Sequence, residues 1–113
     1  MLIYIPVRLP SIANKRMHWA KLVKMKNKQK EIARESLKNK TIPDLPLVIE
    51  ITRIGPRVMD DDNLVSSCKY VRDEIARTIG IDDGSKLCTW IYKQSKGKYG
   101  VTVWIVSRES YRA

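Results

Sequence analysis

The sequence predicts an α+β fold: a small mixed sheet with two main helices, in the order β-α-β-α-β-β. Four short segments rich in β-branched and aromatic residues are bounded by proline, glycine or polar residues, as strands are. Two longer segments carry apolar residues every three or four positions, as one side of a helix does. A chain of 113 residues has the size of one domain, so we expect residues 1–113 to share one core.

The first half of the chain supplies a strand, a long helix and a second strand. The segment "LIYIPVRL" at residues 2–9 predicts a strand, in which Pro6 suits a sheet edge or a bulge. The helix is expected within residues 11–40, and the two prolines of "TIPDLP" at residues 41–46 end it. The segment "LVIEITRI" at residues 47–54 predicts the second strand. The apolar stripe of the helix consists of Leu22, Met25, Gln29, Ile32 and Ala33.

The second half predicts one helix and two more strands. We expect the helix to start at Asp62 as its N-cap and to end before Gly80, which suits the position after a helix. Its apolar face consists of Leu64, Cys68, Val71, Ile75 and Ile79. "KLCTWIYK" at residues 86–93 and "YGVTVWIV" at residues 99–106 predict strands, and "QSKGK" between them is typical of a hairpin turn.

The charge is strongly positive and unevenly spread. The net charge is +10, and residues 15–40 hold ten Lys and Arg against two Glu. Such a field favours a polyanion, for which nucleic acid is the usual choice. A solvated lysine-rich helix face explains the charge about equally well, whereas an acidic membrane surface is a weaker explanation. Lys21, Lys24 and Lys28 form a basic ridge beside the apolar stripe.

Other features point to the cytoplasm. No apolar run approaches the roughly 20 residues of a membrane-spanning helix, and we expect "MLIYIPVRLPS" not to be a signal peptide. Cys68 and Cys88 form no C-x-x-C pair, and are expected to be buried thiols in a reducing compartment.

Two acidic groups flank the second helix: Asp60, Asp61 and Asp62 before it, and Asp82 and Asp83 after it. Side chains two residues apart in an extended segment point the same way, so we expect Asp60 and Asp62 to converge. The second group lies before the next strand, and would meet the first if the two strands pair. Three or four carboxylates at one spot suit Mg²⁺, which prefers oxygen ligands and can activate water for phosphodiester cleavage.

Simpler explanations exist for each piece. Asp62 can serve only as the helix cap, and "DDG" at residues 82–84 is common turn chemistry. Lys69 and Asp73 lie opposite the apolar face, on the side of Asp62. Lys69 there could contact a scissile phosphate, or it could form an ordinary ion pair with Asp73.

Together these motifs resemble the RusA-type Holliday junction resolvases, small phage-associated endonucleases. The family pattern is D-x-D-N-L, a helix with a lysine and an aspartate four residues later, a glycine, and an Asp-Asp pair. The matching segments are "DDDNL" at residues 60–64, "KYVRD" at residues 69–73, Gly80 and "DD" at residues 82–83. The opening "LPSIANKRMHW" is similar to the family's N-terminal segment.

The resemblance implies specific roles. Asp60, Asp62 and Asp83 match the family's metal-binding carboxylates, and Lys69 matches its catalytic lysine. The family acts as a Mg²⁺-dependent homodimer that resolves four-way DNA junctions by paired nicks. In the usual family pattern the lysine comes about one turn sooner, at the position that Ser66 occupies here.

We therefore expect a Mg²⁺-dependent endodeoxyribonuclease of DNA recombination and repair. The DNA backbone would contact Lys15, Arg16, Lys21, Lys24 and Lys28. The alternatives are a non-catalytic nucleic-acid-binding recombination accessory protein of the same fold, and an adaptor that binds an acidic protein. The lone histidine, His18, is expected to be a surface or packing residue. Trp19 is expected to pack in the core, with stacking on an exposed base as the alternative.

Overall fold

The computed structural model of the chain describes residues 1–10, 18–82 and 84–111, and it has the mixed α/β architecture that the sequence predicts. The second helix is divided in two at Cys68, and a short helix ends the described chain. The elements are β1 (Leu2–Ile5), α1 (Trp19–Leu37), β2 (Leu47–Gly55), α2 (Asp61–Ser67), α3 (Lys69–Ile79), β3 (Cys88–Lys96), β4 (Gly100–Ser107) and α4 (Arg108–Tyr111).

The four strands form one mixed sheet in the order β1-β4-β2-β3. β2 and β3 are parallel, while β4 runs antiparallel to both β1 and β2. β1 lies at an edge and Pro6 follows directly after it, where a missing backbone N–H interrupts no ladder of hydrogen bonds.

The predicted hairpin between β3 and β4 is wrong. β2 lies between these strands, so residues 97–99 cross over the end of β2 instead of joining neighbours. The Gly97 N–H donates to the Gly55 carbonyl oxygen at 3.0 Å. A Cβ at Gly97 would come within 3.0 Å of Ile54 Cγ2, which explains the glycine at this close crossing. The turn residues correctly predict a chain reversal, but they do not specify which strand comes next to β4.

The core lies between one face of the sheet and the helices α1 and α3. Alternate strand residues point into it, and eight of these are at most 2% exposed: Ile3, Ile5, Leu47, Ile49, Ile51, Val101, Val103 and Ile105. Ala33 of α1 and Ile75 of α3 are fully buried against this face, in agreement with the predicted apolar stripes. Glu74 ties the two helices together, because it accepts hydrogen bonds from Arg34 at 2.9 Å and Arg77 at 2.7 Å.

The helices end where local chemistry requires. At Cys68 the path stays close to helical, because the Arg72 N–H donates to the Cys68 carbonyl at 2.9 Å. Gly80 ends α3 with a φ of 87°, the left-handed conformation that glycine adopts most readily. Cys68 and Cys88 are both buried and unpaired, as expected. None of the helices in the described ranges is long and apolar enough to cross a membrane.

Candidate functional site

The first acidic group lies where β2 leads into α2, and Asp60 is the N-cap of this helix. Its Oδ1 accepts a hydrogen bond from the Asn63 backbone N–H at 2.9 Å. The prediction that Asp62 caps the helix is therefore wrong, because Asp61 and Asp62 are its first two residues. All three aspartates are exposed.

This cap changes the expected geometry of the first acidic group. Only Asp60 has the extended backbone (φ −69°, ψ 165°) that would align side chains two residues apart. Asp62 is already helical, and each helical residue turns the side-chain direction by about 100°. Asp60 and Asp62 thus lie in one turn of backbone. Their side chains do not point the same way as they would in an extended strand, so the reason given for their convergence does not apply.

The second acidic group lies at the opposite end of the sheet. In the parallel pair, Cys88 at the start of β3 lies beside Leu47 at the start of β2, whereas Asp60 follows the end of β2. The 19 residues from Asp61 to Ile79 form a helical path of about 28 Å between the two groups, at about 1.5 Å per residue. The expectation that Asp82 would meet Asp60 is therefore wrong, since parallel strands start at the same edge. Asp83 lies outside the described residues.

Lys69 is exposed at the start of α3, about ten ångströms along the helical path from Asp62. Although Asp73 follows four residues later, these two side chains do not form an ion pair. Lys69 is thus free to contact a bound group, although it does not line the cleft beside Asp60.

A cleft of about 570 Å³ opens beside Asp60, at the end of β2. Three separate segments line it, including Arg8 from the chain after β1, Arg57 from the loop after β2 and Tyr99 from the crossing before β4. The Arg8 guanidinium lies 4.5 Å from the centre of the Tyr99 ring. Gln94 fixes the loop, because its amide oxygen accepts from the Met59 N–H at 2.9 Å and its amide nitrogen donates to the Met59 carbonyl at 2.7 Å.

Sequence reasoning missed Arg8, Arg57 and Tyr99 as site residues. They are far apart in the chain, and the strand order that brings them together was not predicted. A local signal existed, because Arg57 lies three residues before Asp60 and directly after the Gly-Pro that ends β2.

The basic ridge of α1 lies on the surface as predicted. Lys21, Lys24 and Lys28 are exposed, while Lys15 and Arg16 lie outside the described residues. Lys28 and Arg8 line a shallow groove of about 220 Å³, and Arg8 also lines the cleft with Asp60. Positive charge therefore continues from α1 to the first acidic group.

Two aromatic residues mark the start of α1. His18 is its exposed N-cap and accepts from the Ala20 N–H through Nδ1 at 3.2 Å, which agrees with a surface role. Trp19 is 71% exposed, so the expected core packing is wrong. An exposed indole beside lysines is available to stack on a base.

The residues at the first acidic group fit Mg²⁺ only as a partial ligand set. Within residues 1–10, 18–82 and 84–111, no three Asp, Glu, His or Cys side chains gather at one point. Mg²⁺ often binds through one or two carboxylates, and takes its other ligands from water and substrate phosphates. Asp60 and Asp62 can supply that minimum, with one Asp60 oxygen also engaged as the helix cap.

Comparison with known proteins adds no assignment. Neither the family models, nor the curated proteins, nor the solved structures include a match to this chain.

Proposed function

We propose that this protein is a Mg²⁺-dependent endodeoxyribonuclease of the RusA type, which resolves four-way DNA junctions in recombination and repair. The supporting observation is that Lys28 of the basic ridge shares a groove with Arg8, and that Arg8 in turn lines the cleft beside Asp60. Basic side chains hold phosphates, and carboxylates beside them can bind a cation that also contacts the phosphate. The proposal places this phage-associated enzyme in the cytoplasm.

Each part of this surface has its own role in the proposal. Lys21, Lys24 and Lys28 contact the DNA backbone and give affinity without sequence preference. Asp60 and Asp62 hold the metal ion, whose chemistry is to activate a water and stabilise the leaving oxygen. Lys69, exposed beyond the first acidic group, stabilises the charge of the phosphate.

The distant second acidic group is consistent with a homodimer. Within one chain, a helical path of about 28 Å from Asp61 to Ile79 separates Asp82 from Asp60. If both groups serve one site, the second must come from a partner copy. Paired nicks in a four-way junction also need two active sites, which a homodimer supplies.

The separation of the acidic groups favours a second candidate function. Asp60 has a structural role as a helix cap, and Asp82 is too far away to share a metal with it in one chain. A recombination accessory protein that binds nucleic acid without cutting it would keep the basic surface and need no metal site.

One experiment separates the two candidates. Purified protein is incubated with a labelled four-way junction or a matching linear duplex, with Mg²⁺ or with EDTA, beside Asp62→Asn. The nuclease produces metal-dependent paired nicks in the junction, and Asp62→Asn binds without cutting. If both proteins bind equally and neither cuts any substrate, the accessory function is correct and the nuclease proposal is rejected.

A further inference from the structure

Arg53 places a positive charge inside the protein at the floor of the cleft. It lies on β2, is only 4% exposed and lines the cleft together with Arg8, Arg57 and Asp60. Its Nε donates to the Leu9 carbonyl oxygen at 3.0 Å, and its Nη1 donates to the Arg57 carbonyl oxygen at 2.7 Å. These two bonds hold the guanidinium in one orientation.

Backbone carbonyls accept two hydrogen bonds from Arg53 without neutralising its charge. Among residues 1–10, 18–82 and 84–111, no acceptor bonds to its Nη2 and no carboxylate forms an ion pair with it. A buried charge is costly unless an opposite charge accompanies it. Around Arg53 the described cleft residues add two more arginines and one carboxylate, Asp60, so the charge of the cleft is positive.

The backbone beside Arg53 is adapted to hold the guanidinium. A Cβ at Gly55 would lie 2.7 Å from Arg53 Nη2 and 2.9 Å from Cζ. Gly55 does not have a positive φ, so the absence of a side chain is explained by this close approach and not by backbone conformation. The glycine at position 55 therefore leaves room for the Arg53 guanidinium at the end of β2.

We infer that Arg53, with Arg8 and Arg57, forms a binding site for a tetrahedral phosphate group. The planar guanidinium donates to phosphate oxygens in a fixed fork, and a buried fork loses little freedom on binding. The assignment of this group to a nucleic-acid backbone rests on the proposed function. A phosphate at Arg53 lies beside Asp60, so the same site positions the phosphodiester against the carboxylates that would hold Mg²⁺.

Gly55→Ala tests the site without changing any charge. The added methyl must displace the Arg53 guanidinium, while Gly84→Ala is a matched control because nothing lies within 4 Å of its Cβ position. The full chain is titrated with inorganic phosphate in EDTA, and the Arg53 Nε–H resonance is followed by NMR. Affinity for a short duplex is measured by fluorescence anisotropy at one fixed salt concentration.

We expect saturable phosphate shifts at Arg53 in the wild type and in Gly84→Ala, and their loss in Gly55→Ala. We also expect about tenfold weaker duplex binding by Gly55→Ala. Arg57→Gln, an exposed substitution, should weaken both interactions even if Gly55→Ala folds poorly. No phosphate shift at Arg53 in the wild type overturns the site. Phosphate shifts with unchanged duplex affinity in both variants overturn its assignment to nucleic acid.

These outcomes are independent of cleavage, because the titration contains no metal. Intact phosphate and duplex binding without any cutting rejects the nuclease proposal and leaves the phosphate site in place. Metal-dependent cutting that is unaffected by Gly55→Ala and Arg57→Gln rejects the phosphate site and leaves the nuclease proposal in place.

Discussion

Asp60 is expected to carry two separable roles, as a helix cap and as a metal ligand. Its Oδ1 accepts from the Asn63 N–H at 2.9 Å, a bond that the amide oxygen of an asparagine can also accept. Asp60→Asn therefore keeps the cap and removes the negative charge, whereas Asp60→Ala removes both. The two variants distinguish stability from activity at one position.

The two variants should differ in how much stability and how much cleavage activity they lose. Loss of an N-cap side chain costs about 1 kcal/mol. With an unfolding entropy of about 2.1 cal/mol/K per residue over 113 residues, this cost lowers Tm by about 4 °C. Asp60→Asn should lose only a few tenths of a kcal/mol from the weaker interaction with the helix dipole. The cleavage rate of Asp60→Asn should nevertheless fall about 100-fold or more, as expected when a group that stabilises the transition state is removed.

Thermal unfolding by circular dichroism and single-turnover junction cleavage measure the two effects. Asp61→Asn is the matched control, because it removes one exposed carboxylate from the same turn without touching the cap. Equal Tm values for Asp60→Ala and Asp60→Asn would show that the capping bond contributes nothing. Wild-type cleavage by Asp60→Asn would remove Asp60 from the metal site.

Three further predictions concern Glu74, Cys68 and the basic ridge. Burial alone would raise the pKa of Glu74, but hydrogen bonds from arginines outweigh it and leave the pKa below its usual 4.5. In urea titrations at pH 6–8, the wild type should therefore be more stable than Glu74→Gln by a constant amount of about 1–3 kcal/mol. This difference in the free energy of unfolding should vanish as the pH falls through the lowered pKa. A difference that grows in acid would contradict the lowered pKa. Burial raises the pKa of the Cys68 thiol to about 11, so a thiol reagent at pH 8 should modify it only at the rate of unfolding, and immediate reaction would contradict its burial. Replacing Lys24 and Lys28 with Gln should reduce the steepness of a plot of log binding constant for duplex DNA against log salt concentration, by about 0.9 per lost phosphate contact. An equal effect of Lys40→Gln, which lies outside the basic ridge, would show that the ridge is not a specific DNA contact.

The elements could be predicted from the sequence because their signals are local. The apolar spacing around Ala33 and Ile75 indicates two helices, and Gly80 ends the second helix as expected. Strand positions followed from composition in the same way. The hairpin before β4 could not be judged locally, because its turn residues equally suit a short crossing over the end of β2.

The candidate site was predictable only in part. The aspartates and the basic helix are visible in the sequence, but three adjacent aspartates compete for the cap, and local propensity does not distinguish Asp60 from Asp62. The distance between the two acidic groups depends on the direction of β3 relative to β2, which is a tertiary property. A role for Arg53 could not be predicted, because its burial and its close approach to Gly55 are visible only in the structure.

The most direct test of the account compares single-turnover cleavage of a four-way junction by the wild type, Asp62→Asn and Asp61→Asn, in Mg²⁺ and at equal DNA occupancy. We predict paired nicks by the wild type and Asp61→Asn, and about 100-fold slower cutting by Asp62→Asn. Cleavage by Asp62→Asn at the wild-type rate, or no cleavage by any of the three proteins, would contradict it.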